Sequence, residues 1–77
     1  MKVRIGFSIK ENSGSRTGRI SVEEEMDQQL YRALQWDQSQ GRTTLPQWID
    51  RNLQGRFIHL IDTRTPWTVV DASISDV

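Results

Sequence analysis

Residues 2–10 alternate strictly between apolar and polar or small side chains. One side carries the four apolar residues, Val3, Ile5, Phe7 and Ile9. The other side carries Lys2, Arg4, Gly6, Ser8 and Lys10. Because successive side chains of a β-strand point to opposite faces of its sheet, this alternation predicts a strand with one buried and one solvated face.

The segment after this strand predicts a β-hairpin. Residues 11–18 concentrate Asn, Ser, Gly and Thr, which favour turns or tolerate a positive φ. Alternation then resumes over residues 19–22. We therefore expect two antiparallel strands that are joined by a mobile tip.

A change of period after Ser21 predicts a helix over residues 22–39. Apolar side chains recur there every four positions, at Val22, Met26, Leu30 and Leu34. Ser21 and Glu24 have the spacing of a capping box, which satisfies free backbone N–H groups at a helix start. Residues 23–25 are all Glu, and carboxylates in a first helical turn are stabilised by the helix dipole.

A second helix is predicted after Gly41, which ends the first one. Thr43 or Thr44 caps the second helix, and Pro46 lies in its first turn, where a missing N–H costs nothing. Its apolar face consists of Leu45, Trp48, Ile49 and Leu53. Gly55 is expected to end it.

The last third of the chain predicts two more strands. Residues 56–61 are apolar on both faces, which is typical of a central strand, and residues 67–70 indicate another. Residues 63–66 join the two. Residues 72–77 show no periodicity and are expected to be a frayed tail.

These elements predict an α+β fold. It consists of an N-terminal β-hairpin, a two-helix hairpin and two C-terminal strands, which form a small antiparallel sheet packed on the helices. A chain of 77 residues is too short to divide into two cores, so residues 1–77 are expected to be one domain. The apolar share of 35% is lean, so a homodimer or a bound partner would add stability.

The composition also indicates a compartment. The chain has no Cys, which excludes a disulfide framework and a thiolate metal site. No apolar run approaches the roughly 18 residues that a transmembrane helix needs. We therefore expect a cytoplasmic protein that has no membrane partner.

No pattern in the sequence predicts catalysis or a cofactor. His59 is the single imidazole and lies among apolar residues of a predicted strand, where a structural role is the more common one. The carboxylates of residues 23–25 and Asp27 point around a predicted helix and do not converge on a metal ion. Residues 14–18 lack the Gly-Lys-Ser/Thr ending of a phosphate-binding loop. We therefore expect no enzyme activity, no catalytic or metal-binding residue and no cofactor.

The formal net charge is zero, but the charges are unevenly distributed. Residues 1–19 contain one acidic residue, Glu11, and five basic ones, Lys2, Arg4, Lys10, Arg16 and Arg19. Among the charged residues of 20–50, acidic side chains outnumber basic ones by six to two. Either the basic segment is a binding surface for a partner, or the two segments neutralise each other within one molecule.

Three Trp in so short a chain suggest a surface for a partner protein, because Trp and Arg are enriched at binding hot spots. Trp48 and Trp67 lie on apolar faces and are expected in the core. Trp36 is the one expected to be exposed. The first functional hypothesis is therefore a protein-binding accessory or inhibitor that docks through an exposed sheet edge, the five basic residues or Trp36.

Residues 20–53 resemble the ribbon-helix-helix family of DNA-binding regulators. The resemblance rests on residues 30–34 of the first predicted helix, the turn at 41–44 and residues 45–53 of the second. It implies an obligate dimer whose paired strands enter the major groove, with a phosphate held at the start of the second helix by Arg42, Thr43 and Thr44.

The resemblance leaves two registers open for the DNA-reading strand. Over residues 19–22, Arg19 and Ser21 would face the bases. Over residues 22–26, Glu23 and Glu25 would face outward and repel DNA. Because the first predicted helix is rich in acidic residues and the net charge is zero, we favour a partner protein and keep a dimeric DNA-binding regulator as the alternative.

Overall fold

The computed structural model describes residues 1–14, 16–60 and 66–77. Two strands come first, followed by helices and a last strand. The strands are β1 (Lys2–Glu11), β2 (Thr17–Glu25) and β3 (Trp67–Asp76). The helices are α1 (Gln28–Ser39), α2 (Thr44–Asn52) and the short α3 (Gln54–Phe57), which a 3₁₀ helix (Ile58–Leu60) follows.

The strands form one antiparallel sheet in the order β2-β1-β3, so β1 is central. Its apolar side chains are fully or almost fully buried, as the alternation predicts. Phe7 lies opposite Ile20 of β2, and Ile9 lies opposite Val69 of β3. The α+β class and the N-terminal hairpin are confirmed.

Strand β2 is longer than predicted, and this corrects the start of the first helix. Residues 22–25 belong to β2, where Val22 pairs with Ile5, so the capping box and the acidic first helical turn are wrong. Helix α1 begins at Gln28, and the side chain of Asp27 caps it by accepting a hydrogen bond of 3.1 Å from the Gln29 N–H. Pairing with β1 outweighs the modest helix preference of three Glu residues.

Gly41 ends α1 as predicted, with φ of 72°. The N–H groups of Gly41 and Arg42 donate to the carbonyl oxygens of Gln38 and Asp37, which satisfies the end of the helix. Thr43 precedes α2, but its hydroxyl accepts a hydrogen bond from the Gln47 side chain and does not cap the helix.

Residues 56–60 are helical, so the strand predicted over residues 56–61 is wrong within the described residues. Residue 61 lies outside them, as do residues 63–65 of the predicted connection. Gly55 lies inside α3 and does not end the helical region. An apolar run of this length suits a strand and a buried helix equally well.

Residues 72–76 continue β3, so the predicted frayed tail is also wrong. A β-bulge lies opposite Phe7, because Gly6 pairs with Ser73 while Ser8 pairs with Val70. The extra residue moves the apolar positions of β3 out of strict alternation. Alternation in the sequence therefore predicts only the first four residues of β3 and misses the rest of the strand.

One hydrophobic core lies between the sheet and the helices. Phe57 of α3 is at its centre and packs edge-to-face on Phe7 and Trp67, with ring centroids 5.4 and 5.1 Å apart. The core comprises Val3, Ile5, Phe7, Ile9, Met26, Tyr31, Leu34, Leu45, Ile49, Leu53, Phe57, Val69 and Ile74. Helices α1, α2 and α3 therefore cover the same face of the sheet. No helix among the described residues has the length and hydropathy to cross a membrane.

Candidate functional site

The opposite face of the sheet has no covering layer among the described residues, and we call it the open face. Strand alternation and the pairing register define its members. They are Lys2, Arg4, Gly6, Ser8 and Lys10 of β1, Thr17, Arg19, Ser21, Glu23 and Glu25 of β2, and Thr68, Val70, Ser73 and Ser75 of β3. None of these residues is buried, so the open face is a polar surface available to a partner.

Two of the five basic residues, Lys2 and Arg4, share one carboxylate of the same molecule, that of Glu23. Lys2 Nζ lies 3.6 Å from Glu23 Oε2, and Arg4 Nη2 lies 3.1 Å from Glu23 Oε1. The hydrogen bond from Arg4, followed by the charge of Lys2, holds the pKa of the Glu23 carboxyl below its ordinary value. Glu25 lies opposite Lys2 on the same face, so two carboxylates balance the two basic side chains at this end of the open face.

The other end of the open face keeps its positive charge. Lys10 and Arg19 lie there, and Arg16 directly precedes β2 at the same end. Within residues 1–14, 16–60 and 66–77, none of the three makes a salt bridge. Carboxylates of the same chain thus balance the charges of Lys2 and Arg4. The end of the open face with Lys10, Arg16 and Arg19 stays positively charged.

Arg19 has a fixed position on this charged end. Its Nη1 donates to the Ser8 hydroxyl at 3.3 Å and to the backbone carbonyl of Asp71 at 3.1 Å. The guanidinium crosses β1 above Gly6, where a Cβ would lie only 3.1 Å from Arg19 Nη2. Both acceptors are neutral, so the contacts orient the guanidinium without cancelling its charge.

Asp71, the bulge residue beneath this guanidinium, has φ of 54° and is the one non-glycine residue with a positive φ among those described. This left-handed conformation is uncommon outside glycine, although Asp tolerates it better than most residues. We call Gly6, Ser8, Arg19 and Asp71 the Arg19 cradle. The prediction from sequence included Arg19 and missed its three supports, since neither strand pairing nor the bulge is visible in the sequence pattern.

Trp36 is exposed, as predicted, with 62% of its surface accessible. On a helix of 3.6 residues per turn it points about 140–160° away from the buried Tyr31 and Leu34. It borders a shallow depression on α1 together with Arg32, Gln35 and Ser39. Trp48 and Trp67, which the sequence predicts in the core, are only partly buried and pack against the core from outside it.

The structure does not bring Trp36 together with the basic residues. Trp36 points outward from the helix layer, whereas Lys2, Arg4, Lys10 and Arg19 lie on the far side of the sheet. The six residues proposed for partner binding therefore form two separate surfaces. Helical and strand periodicity give the side of each element, but they do not give the arrangement of the layers.

The residues proposed for DNA binding are separated in the same way. Arg19 and Ser21 lie on the open face of β2, at one edge of the sheet. Arg42, Thr43 and Thr44 lie at the start of α2, which packs against β3 at the other edge. Arg42 also lies 3.6 Å from the carboxylate of Asp37. Within one copy of the chain, these two groups do not form one surface.

His59 lies in the 3₁₀ helix and is exposed, which corrects its predicted place within a strand. Throughout the part of the chain that the structure describes, no three His, Cys, Asp or Glu side chains are grouped closely enough to hold a metal ion.

Fold and surfaces together define a small α+β protein whose three-stranded antiparallel sheet is covered by helices on one face and open on the other. No protein-family model, curated protein or solved structure matches the chain.

Proposed function

We propose that this protein is a non-catalytic binding protein, an accessory or inhibitor that docks on a partner protein through the outer side of α1. The exposure of Trp36 carries the proposal. A tryptophan that is 62% accessible leaves a large apolar area in water, and burying it in a complementary pocket is favourable.

The surroundings of Trp36 support the same function. Leu30 is also exposed on α1, and Ala33 lies on the surface between the two. Arg32 borders the depression beside Trp36, and it makes no salt bridge among the described residues. A partner that fits this surface has an apolar pocket for the indole and a carboxylate at the rim for Arg32.

The test compares a Trp36→Ala variant with the wild-type protein. Immobilised wild-type chain is used to capture a partner from extracts of the cells that make it, and the dissociation constant of the purified partner is then measured. Trp36→Ala should weaken binding by at least about 30-fold, since a hot-spot residue contributes about 2 kcal/mol or more.

Gln29→Ala is the matched control, because Gln29 is exposed on the same helix and has a polar side chain. It should change the dissociation constant by less than about threefold, since most exposed interface residues contribute little. If Trp36→Ala leaves the affinity of every captured partner unchanged, docking through this surface is excluded.

A dimeric ribbon-helix-helix-like DNA regulator is the second proposal. Its support is the order β2, α1, α2 and the charge of Lys10, Arg16 and Arg19, which make no salt bridge with any described residue. It has less support than protein binding, because Glu23 and Glu25 share the open face and β2 already pairs with β1. A solution mass near twice 9.0 kDa, with a DNA affinity that falls steeply with salt, would favour it. A monomer without DNA affinity would exclude it.

A further inference from the structure

We infer that the Arg19 cradle is a binding site for a carboxylate side chain of an acidic partner protein. This inference goes beyond the function proposed above, because Arg19 and Trp36 lie on opposite sides of the molecule. It assigns a second binding surface to the chain, with its own ligand chemistry.

The orientation of the guanidinium is the first argument. Both hydrogen bonds of Arg19 use Nη1, and they are made to Ser8 and to Asp71. The Nε and Nη2 groups form the other side of the planar fork, which matches the two oxygens of a carboxylate. Because the side chain is already held in place, less rotamer entropy is lost when a ligand binds.

The backbone around Arg19 is the second argument. Gly6 lies in the middle of β1, where a glycine weakens a strand, and Asp71 adopts a left-handed conformation that most residues avoid. Both features serve the same side chain: Gly6 leaves room for Nη2, and the bulge at Asp71 supplies a carbonyl oxygen to Nη1. Unfavourable backbone features that converge on one side chain are typical of functional sites.

Charge is the third argument, and it also distinguishes between two kinds of anionic partner. Arg4, Arg42 and Arg56 each lie within 3.6 Å of a carboxylate of the same chain, whereas the contacts of Arg19 are neutral. A single carboxylate of a protein can reach Arg19 alone. A flexible acidic chain can place one carboxylate on Arg19 and direct its other carboxylates away from the sheet, whereas a rigid DNA duplex that followed β2 would hold phosphates against Glu23 and Glu25 on the same face, which repel them.

The inference is tested with a fluorescein-labelled poly-glutamate peptide as the probe, followed by anisotropy at low salt. Poly-glutamine of equal length and a DNA duplex serve as comparison ligands. We expect poly-glutamate to bind and to shift the NMR signals of the Arg19 Nε–H and the Gly6 amide. Arg19→Gln should weaken binding about tenfold or more, as expected for loss of a charge-assisted hydrogen-bond pair.

Four further variants separate a defined site from general charge attraction. Arg19→Lys keeps the charge but loses the planar fork, and Gly6→Ala crowds Nη2, so each should weaken binding several-fold. Arg51→Gln removes the same charge from the exposed side of α2 and should have little effect. Trp36→Ala should also leave the affinity unchanged, which keeps this test independent of the proposed docking surface on α1. Circular dichroism establishes that each variant is folded.

Three outcomes would overturn the inference. One is the absence of poly-glutamate binding at low salt. Another is an equal loss of affinity in Arg51→Gln and Arg19→Gln, which would indicate attraction by net charge alone. The third is tighter binding of the DNA duplex than of poly-glutamate, with the same dependence on Arg19, which would assign the site to phosphate.

Discussion

Arg19 on one edge strand donates a hydrogen bond of 3.1 Å to the backbone carbonyl oxygen of Asp71 on the other edge strand. The side chain spans the central strand β1 above Gly6. The two edges of the sheet are thus connected by a side-chain contact in addition to their backbone pairing with β1. This contact depends on the bulge, because the bulge gives Asp71 its positive φ and the direction of its carbonyl group.

The conformation of Asp71 leads to a prediction about stability. Asp71→Val should lower the free energy of unfolding by about 1–3 kcal/mol, because a β-branched residue is strained at a positive φ. Asp71→Gly should leave this free energy unchanged or raise it by up to about 1 kcal/mol. Glycine relieves the strain, but it also increases the conformational entropy of the unfolded chain, which partly offsets the gain. Urea unfolding measures both changes.

Ser75→Val is the control for this prediction, because Ser75 lies at an exposed position of the same strand with regular pairing to Arg4. A β-branched residue is favourable at such a position, so the change should be within about 0.5 kcal/mol. Equal stability of Asp71→Val and the wild-type protein would show that the left-handed conformation is not required.

The parts of the fold that the sequence predicted correctly are those with one strong local signal. Residues 2–10 alternate without interruption and form β1, whose apolar side is buried as expected. Gly41 marks the end of α1 because glycine readily adopts a positive φ, and Pro46 marks the first turn of α2 because its ring fixes φ. Signals of this kind do not depend on the rest of the chain.

The incorrect predictions concern segments whose structure is decided by distant residues. Residues 22–25 fit a helical repeat and a strand, and pairing with β1 decides in favour of the strand. The helical structure of residues 56–60 places Phe57 against Phe7, which is far from it in sequence, and against Trp67 of the last strand. In both cases tertiary packing overrides a local preference.

The candidate sites also differ in whether they depend on local sequence or on contacts between distant residues. Exposure of Trp36 followed from its helical position near the end of α1 and is confirmed. The Arg19 cradle depends on the β1–β2 register and on a bulge in β3, so only its arginine was available from the sequence. The opposite orientation of Trp36 and Arg19 follows from the layer order, which gives one small chain two distinct surfaces.

The buried aromatic cluster leads to a second prediction. Phe57→Ala should lower the free energy of unfolding by about 3–5 kcal/mol, because it leaves a cavity and removes both edge-to-face contacts. A domain of this size has a total stability of roughly 4–12 kcal/mol, so much of it would be lost. Phe57→Leu retains more of the volume and should cost less. Thermal and urea unfolding measure the difference.

Trp36→Ala is the control for Phe57, since it also removes an aromatic ring but from an exposed position. Its effect on stability should be within about 0.5 kcal/mol. A small effect of Phe57→Ala would contradict the central position of this ring in the core. A large effect of Trp36→Ala would mean that the indole stabilises the fold, and it would weaken the proposal that Trp36 serves a partner.

The ion pairs of Glu23 lead to a third prediction, which concerns pH. Hydrogen bonding from Arg4 and the charge of Lys2 lower the pKa of Glu23 in the folded protein below its unfolded value. The stabilising effect is therefore fully present above the unfolded pKa and is lost as the pH falls through the folded pKa. The stability of wild-type protein and Glu23→Gln should differ at neutral pH and converge in acid, below roughly pH 4.

Glu25→Gln, which alters a neighbouring carboxylate that has no salt bridge among the described residues, should not show this convergence. Urea unfolding across the pH range measures both variants, and a constant difference between wild type and Glu23→Gln from neutral pH to acid would contradict the prediction. In 1 M NaCl the difference at neutral pH should shrink, because the Debye length falls to about 3 Å and these pairs are exposed to solvent.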